Sequence, residues 1–347
     1  MTGSKQLIPR ERQRPKDSRP EQVRILVQGR PTRYDRGSVA ARADARPRRG
    51  GLLRREQVDA YLCLAPWAIG QLVFVLGPML FSLALTVMDW SLLSAPTFVG
   101  LDNVRRLIDD DLFYVALYNT AYYTVLAVPL HLLIALVIAL AVNLPLRGIN
   151  AIRTVYYMPS ITPQVAGIIL WLWIFNPEFG LANALIRAVG GKDQLWFADP
   201  DLAKLTFVII SLWGFGEAMI IFLAGLQGIP ETLYEAARID GAGTLALFRH
   251  ITLPLLTPVI FFNLVIGIIG SFQVFTAVFI ATNRAEGGLG GPANSTLFLV
   301  LYLYKQGFSY FRMGYASLLA WVLFVVILAF TILQFWLSRR WVYYEAK

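Results

Sequence analysis

Long runs without a charged residue dominate the chain, and they predict helices that cross a membrane. These runs cover residues 60–88, 112–146, 154–177, 205–216, 218–230, 250–283 and 313–338. A spanning helix needs about 20 mostly apolar residues, so the two runs on either side of Glu217 are each too short. Because Glu217 alone divides them, we join them and predict six spans. Prolines and glycines trim the six to 62–87, 114–142, 155–175, 204–227, 257–280 and 314–337.

The composition agrees with a membrane protein. Hydrophobic residues make up 56% of the chain and charged residues 15%, with a mean hydropathy of +0.56, where a soluble domain has roughly 45–50% and about 25%. A single cysteine, Cys63, excludes an internal disulfide and a cysteine-based metal cluster. The two histidines, His131 and His250, lie far apart, so we expect no metal site.

The net charge of +9 belongs to the N-terminal region. Residues 1–60 hold 16 Lys and Arg against 7 Asp and Glu, so the rest of the chain is balanced. This distribution argues against a nucleic-acid-binding domain. Residues 1–50 show no apolar periodicity, and we expect residues 1–55 to form a disordered basic cytoplasmic tail. Its charge sets the topology, contacts anionic membrane lipid, or binds a specific partner or nucleic acid.

The distribution of basic residues predicts the orientation of the six spans. With the N-terminus inside, the inner segments hold 23 of the Lys and Arg residues and the outer segments hold 8. Basic residues are enriched on the cytoplasmic side of membrane proteins. Both termini are therefore expected inside, and the loop at 229–256 faces the cytoplasm.

This inner loop (229–256) is too polar to span and carries a regular pattern. Pro230 suits the first position of a helix, and Gly241 suits the left-handed residue that follows a helix end. The pattern predicts a short helix at about 230–240. Thr244 is placed to cap a second short helix, which Pro254 is expected to stop.

Several motifs in the chain resemble those of one transporter family. Glu235-Ala236-Ala237, then Gly241, then Ile251-x-Leu253-Pro254 resembles the EAA motif of permease subunits in binding-protein-dependent ATP-binding cassette (ABC) importers. The extended form EAARIDGA is similar to the carbohydrate-transport branch. The stretches FVGLDN (98–103), RTVYYMPSITPQVAGIILWLWIFNPEFGLAN (153–183) and MGYASLLAWVLF (313–324) agree with that branch.

The resemblance implies a fold and a division of the chain. The expected fold is an all-α membrane protein with six transmembrane helices, both termini inside, of the type I ABC importer permease class. Residues 56–112 would form the first transmembrane helix and an outer loop, 113–340 the permease domain, and 341–347 a cytoplasmic end. The residues expected to couple to an ATPase are Glu235, Ala236, Ala237, Asp240, Gly241, Ile251, Leu253 and Pro254. The alternative is that these residues only cap and pack the loop.

The resemblance also implies partners. It implies a second homologous permease, as a heterodimer, together with two ATPase subunits and an extracytoplasmic solute-binding protein, all at the inner membrane of a prokaryote. ATP and Mg²⁺ would bind the ATPase, and no cofactor is expected on this chain. Its nearest approach to a phosphate-binding loop, Gly190-Gly191-Lys192-Asp193, lacks the Ser or Thr that should follow the lysine. The implied substrate is a disaccharide or oligosaccharide, with a polyol phosphate such as glycerol 3-phosphate also compatible.

Polar and aromatic residues inside the spans are candidates for the solute pathway. An ionisable group in a spanning helix is costly and is a functional candidate. Glu217 faces the pathway, pairs with a partner helix, or lies nearer the membrane surface. The other candidates are Gln164, Trp213, Asn263 and Gln273, although such amides also join helices. We expect His131 to be a hydrogen-bonded packing residue rather than a proton relay.

Two other classes of function remain open at this point. An ion-coupled secondary transporter or channel for a small polar solute would need paired acids and bases or inverted repeats within the membrane. A membrane-embedded enzyme would need a nucleophile, a metal cluster or a carboxylate pair. Within the spans, Glu217 and His131 are the main residues that could serve either function. We therefore expect a transport subunit without enzymatic activity.

Overall fold

The computed structural model describes residues 49–283 and 288–343, with side chains from residue 56 onward. The described chain is almost entirely helical, with one antiparallel pair of short strands, β1 (Met88–Asp89) and β2 (Thr97–Phe98). The α-helices are α1 Arg49–Gly70, α2 Gly77–Leu85, α3 Asp102–Ile108, α4 Asp111–Val142, α5 Ile149–Ile161, α6 Gln164–Ile174, α7 Leu181–Ala188, α8 Pro200–Leu212, α9 Gly216–Gln227, α10 Glu231–Ile239, α11 Thr244–Leu247, α12 Leu253–Phe272, α13 Thr276–Asn283, α14 Leu299–Tyr304 and α15 Met313–Ser338. π-Helical turns occupy Gln71–Leu76, Phe248–Thr252 and Lys305–Ser309, and a 3₁₀ turn occupies Pro292–Asn294.

The described residues contain the six predicted spans. Four stretches are long and apolar enough to cross a membrane unbroken, namely Glu56–Leu85, Asp111–Val142, Thr244–Asn283 and Met313–Ser338. The other two spans are bent pairs, α5 with α6 and α8 with α9. The prediction of six spans is therefore confirmed.

The unbroken helices predicted at 155–175 and 204–227 are wrong. α5 and α6 meet at 94°, and α8 and α9 meet at 47°. At the first break Pro163 follows Thr162, whose extended backbone (φ −64°, ψ 129°) is the conformation that a following proline favours. At the second break Gly214 lies among the three residues between the helices, where the helical hydrogen-bond ladder is interrupted.

The chain that follows the inner loop also differs from expectation. Gly243, not Thr244, is the N-cap residue of α11. Pro254 does not end the helix, because α11 continues through a π-helical turn into α12. Pro254 lies directly after the π-helical turn, where the α-helical hydrogen-bond ladder is already interrupted, so its missing N–H is accommodated.

The helix α1 begins at Arg49, inside the region expected to be a tail. Residues 1–48 of that expected tail lie outside the described residues, as do 344–347 of the expected C-terminal end.

Asp110 joins three helices at the outer end of the bundle. Its Oδ1 caps α4 by accepting from the backbone N–H groups of Leu112 (3.1 Å) and Phe113 (3.3 Å). Its Oδ2 accepts hydrogen bonds from the hydroxyl groups of Tyr302 in α14 and Tyr315 in α15. Burial and the hydrogen bond to this carboxylate raise the pKa of Tyr302 further above neutral pH, where its hydroxyl is a donor. The cluster holds the outer ends of α4, α14 and α15 together.

The start of α15 lies against the end of α2 without room for a side chain. A β-carbon on Gly314 would overlap the carbonyl oxygen of Met88 and would lie 3.1 Å from that of Leu85. The amide of Asn103 fixes the same segment by donating to the carbonyl oxygens of Thr86 (2.9 Å) and Met88 (3.0 Å). Because the overlapping atom belongs to backbone that Asn103 holds in place, moving it to make room for a β-carbon would cost free energy.

We expect Gly314→Ala to destabilise the protein by about 1–3 kcal/mol, the usual cost of overpacking. Gly70→Ala is the matched control, because no atom lies within 4 Å of its β-carbon position. It should be neutral or slightly stabilising, since alanine favours a helix interior over glycine. Thermal melting of the purified variants in detergent measures the difference. Equal Tm values for the two variants would contradict this account of the crossing.

Candidate functional site

A cavity of about 510 Å³ lies in the membrane part of the bundle, and we call it the central cavity. Residues from α4, α5, α6, α8, α9, α12 and α13 line it. On α4 it lies between two apolar clusters, an outer one that reaches Ala127 and an inner one that begins at Ala135. The space is therefore built between two packed regions of the same bundle.

Both helix breaks open onto the central cavity. Thr162 at the first break and Gly214 at the second are among its lining residues. Non-helical backbone at membrane depth is tolerated where it is buried in protein or lines a water-filled space, because lipid cannot satisfy free N–H and C=O groups. Both breaks meet this condition, because they lie within the protein at the wall of the cavity.

Aromatic side chains form one wall of the cavity. The rings of Trp171 and Trp213 meet edge to face with centroids 5.6 Å apart. Trp171 also stacks on Phe175, with centroids 5.3 Å apart and planes 19° apart. Trp213 is 45% exposed, so part of its ring remains free to contact a solute.

The charge of the cavity is negative. Glu217 is exposed and lies in the first turn of α9, where the positive end of the helix dipole favours a carboxylate. Among the described lining residues there is no lysine or arginine. His131 also lines the cavity, but its Nδ1 lies 3.1 Å from the carbonyl oxygen of Ser211, which agrees with the predicted packing role.

The structure brings four of the five predicted pathway residues together. Glu217, Gln164, Trp213 and Gln273 all line the central cavity. Asn263 does not, because it is buried within α12 and donates to the carbonyl oxygen of Val259 (3.1 Å). The sequence gives no reason to treat Asn263 and Gln273 differently, because both are amides within one predicted span. They differ in the structure because Gln273 faces the cavity and Asn263 does not.

Small hydroxyl residues of the lining were missed from the sequence. Ser160 and Thr276 line the cavity, and the Ser160 Oγ is buried without a hydrogen-bond partner among the described residues. A β-carbon on Gly216 would overlap this Oγ and lie 3.0 Å from the Tyr156 carbonyl oxygen. The pair Gly216-Glu217 was the available sequence signal for this contact. A glycine at position 216 lets α9 approach Ser160 on α5 closely, and the next residue, Glu217, then lies in the cavity.

The inner loop forms a short helix with a well-defined end. α10 covers Glu231–Ile239, with Pro230 as its N-cap residue. Gly241 has a φ of +84°. Its N–H donates to the carbonyl oxygen of Arg238 (3.0 Å), and the N–H of Ala242 donates to the carbonyl oxygen of Ala237 (2.9 Å). This pair of bonds is a Schellman motif. The predicted helix and its left-handed Gly241 are confirmed.

The inner loop exposes large apolar side chains that were not among the predicted coupling residues. Ile239 is 87% exposed and Leu245 is 78% exposed. Glu235, Ala236, Asp240 and Gly241 are also exposed, while Ala237 is half-buried. Isolated apolar residues are normal on a surface, but two large ones beside a rigid turn indicate a contact site. The sequence signal for this contact site was Ile239, a large apolar residue directly before the polar turn at Asp240-Gly241.

A hydrogen bond ties the inner loop to the membrane bundle. The hydroxyl groups of Tyr234 and Thr252 lie 2.9 Å apart, which connects α10 to the π-helical turn. Ile251, Leu253 and Pro254, expected among the coupling residues, are half-buried at this junction rather than exposed like Glu235. Ile251 lies in the π-helical turn, and Leu253 and Pro254 begin α12, which leads to the central cavity.

Comparisons with known proteins match this architecture. The family "Binding-protein-dependent transport system inner membrane component" matches residues 120–343. The "Probable ABC transporter permease protein YesP" of Bacillus subtilis (strain 168) is 41% identical, covering 85% of this chain and 95% of the relative. The "Lactose transport system permease protein LacF" of Rhizobium radiobacter is 36% identical, covering 84% and 98%.

A solved structure shares the fold. It is a bacterial alginate ABC transporter in complex with an alginate pentasaccharide-bound periplasmic protein, with a TM-score of 0.72 at 24% identity. The match covers 83% of this chain and 96% of that chain.

This chain belongs to the family of inner-membrane components of binding-protein-dependent transport systems. It is a permease subunit of an ABC importer, as the EAA motif predicted, and the family is one of transport subunits rather than enzymes. The interpretations as a secondary transporter, a channel or a membrane-embedded enzyme are set aside.

Thiol labelling tests the lining of the central cavity. On a Cys63→Ser background, Gln164→Cys and Gln273→Cys should react with a membrane-impermeant thiol reagent, because both positions are exposed and line the cavity. Asn263→Cys is the control and should stay unreactive, since that position is buried. The rates are measured by mass spectrometry. Labelling of position 263 as fast as position 273 would contradict the described cavity.

Proposed function

We propose that this permease subunit conducts an uncharged saccharide through the central cavity. The composition of the cavity wall supports this proposal, because the exposed part of Trp213 lies in the same space as the amides of Gln164 and Gln273. The apolar face of a sugar ring packs on an aromatic face, and amide groups donate to and accept from its hydroxyl groups. A relative named for lactose transport supports the same substrate class.

The charge of the cavity narrows the substrate class further. An acidic sugar or a polyol phosphate would bring a negative group toward Glu217, and the described lining offers no lysine or arginine to offset the repulsion. Like-charge juxtaposition of this kind disfavours an anionic solute. We therefore favour a neutral disaccharide or oligosaccharide over glycerol 3-phosphate.

The complete importer needs further chains. The central cavity is formed by one permease, and we propose that a second, homologous permease completes the pathway as a heterodimer. Two ATPase subunits bind ATP and Mg²⁺ below the membrane. An extracytoplasmic solute-binding protein delivers the sugar from outside. The alginate transporter that shares the fold was solved with such a periplasmic protein, which supports this last partner.

In this proposal an ATPase docks on the inner loop. The exposed Ile239 and Leu245 offer apolar contacts, and Glu235 and Asp240 surround them with charge. The Gly241 turn keeps α10 rigid, so that movement of the ATPase passes through the Tyr234–Thr252 bond to α12. α12 carries Gly267 and Ser271 of the cavity wall. Closure of the ATPase pair would thus reshape the cavity.

Variants of the inner loop test this docking. Glu235→Lys reverses an exposed charge, and Gly241→Asp places a side chain at a φ of +84°. Both should lower sugar uptake at least about tenfold while the purified complex still hydrolyses ATP, because transmission rather than hydrolysis is lost. Arg147→Glu, a charge reversal in another inner segment, should leave both activities near those of the parent protein. Normal uptake by both inner-loop variants would disprove the docking site.

The substrate proposal is tested in two steps. A thermal-shift screen of saccharides on the solute-binding protein first identifies the transported sugar, which should be neutral. Trp213→Ala should then lower its uptake about tenfold, the effect expected for losing an aromatic contact of about 1.5 kcal/mol. Trp173→Ala is the matched control, because Trp173 is 59% exposed but does not line the cavity. A uronate or a phosphate emerging from the screen would refute the neutral-sugar proposal.

A further inference from the structure

A second cavity of about 220 Å³ lies beside the bundle, and we call it the lateral groove. α4, α12 and α15 form it, with Val125, Pro129, Leu264, Phe272 and Phe330 among its walls. Its one polar side chain, Thr124, has its hydroxyl engaged by Ser271 (2.9 Å). The groove therefore offers a purely apolar surface.

The lateral groove is separate from the central cavity and opens to the outside of the described bundle. Val128 is the one residue that lines both spaces. Val125 is 69% exposed, Pro129 is exposed, and Phe330 is 40% exposed at the rim. In a membrane-spanning part of the chain, an apolar opening of this kind faces acyl chains or another helix.

A basic site lies at the outer end of the same face of α4. The Lys204 Nζ lies 5.2 Å from the ring centroids of both Tyr118 and Tyr122. It donates one hydrogen bond, to the Asn119 Oδ1 at 3.2 Å. Lys204 is half-buried and pairs with no carboxylate within the described ranges 56–283 and 288–343. A lysine ammonium has three donors, so two remain for an anionic ligand.

The basic site and the groove form one stripe. Tyr118, Tyr122, Val125 and Pro129 follow i, i+4, i+7, i+11 spacing, which places them on a single face of α4. From residue 118 to residue 129 the stripe is about 16 Å long at 1.5 Å per residue. One leaflet of the hydrocarbon core is about 15 Å thick. Tyrosine is also the residue typical of the membrane interface.

We propose that the Lys204 site and the lateral groove together bind one anionic phospholipid of the outer leaflet. Its phosphate lies at the Lys204 ammonium between Tyr118 and Tyr122, and one acyl chain follows Val125 into the groove. Charge complementarity favours a lipid over a helix of the second permease, because an apolar helix would leave the half-buried ammonium without a counter-ion. The length of the stripe favours a lipid over free phosphate, which would use the basic site alone.

Native mass spectrometry of the assembled transporter tests the proposal. With dioleoyl phosphatidylglycerol titrated into mild detergent, the parent complex should bind one lipid more tightly than it binds dioleoyl phosphatidylcholine. Lys204→Gln should weaken this site about fivefold, the factor that corresponds to one basic residue at an anionic headgroup. Lys192→Gln is the matched control, because it removes an exposed lysine from another outer segment and should leave binding unchanged.

A groove variant separates the lipid from other occupants. Ala121→Phe fills the groove wall and should also weaken phosphatidylglycerol, while millimolar inorganic phosphate should not compete. Equal lipid affinity of Lys204→Gln and Lys192→Gln would overturn the proposal. So would competition by inorganic phosphate at millimolar concentration. Cross-linking of Val125→Cys, on a Cys63→Ser background, to the second permease in high yield would also overturn it, because a helix then covers the groove.

Discussion

In the core of a bilayer every backbone N–H and C=O group needs a partner inside the protein, and the central cavity follows from this requirement. Two spans are broken, at Thr162–Pro163 and around Gly214, and both breaks open onto the same space. After the second break the chain begins α9, and the first turn of α9 places Glu217 in the cavity. The aromatic wall and the amides are arranged around these breaks. A bundle of six straight helices would have offered a packed core in their place.

The inner loop obeys a different constraint, because it lies outside the hydrocarbon and must stay rigid without it. The Schellman motif at Gly241 closes α10, and the Tyr234–Thr252 hydrogen bond fixes that helix to the start of the next span. Few side chains of the loop are buried. Its shape is set by hydrogen bonds and a glycine conformation rather than by a core, so the outward side remains free for another protein.

The sequence predicted the features that depend on local chemistry. Charge-free runs predicted the six spans, and Pro230 and Gly241 predicted α10 within a residue or two. It could not predict where spans bend, because a proline or glycine in a spanning helix is accommodated in several ways, as Pro163 and Pro254 show. Nor could it tell a cavity amide from a packing amide, since these helices are apolar on every face and give no periodic signal for direction.

The continuous path from α11 through the π-helical turn to α12 has a mechanical consequence. From Thr244 to Phe272 it runs for 29 residues, which is about 43 Å at 1.5 Å per residue. A rod of that length pivoting near its inner end by about 5° displaces its far end by about 4 Å. Under the proposed docking of the ATPase, this helix would act as a lever that turns a small tilt below the membrane into a larger displacement at the cavity wall. Stiffness along this one helix, rather than a large motion of the loop, would then set how faithfully each ATP cycle moves the wall.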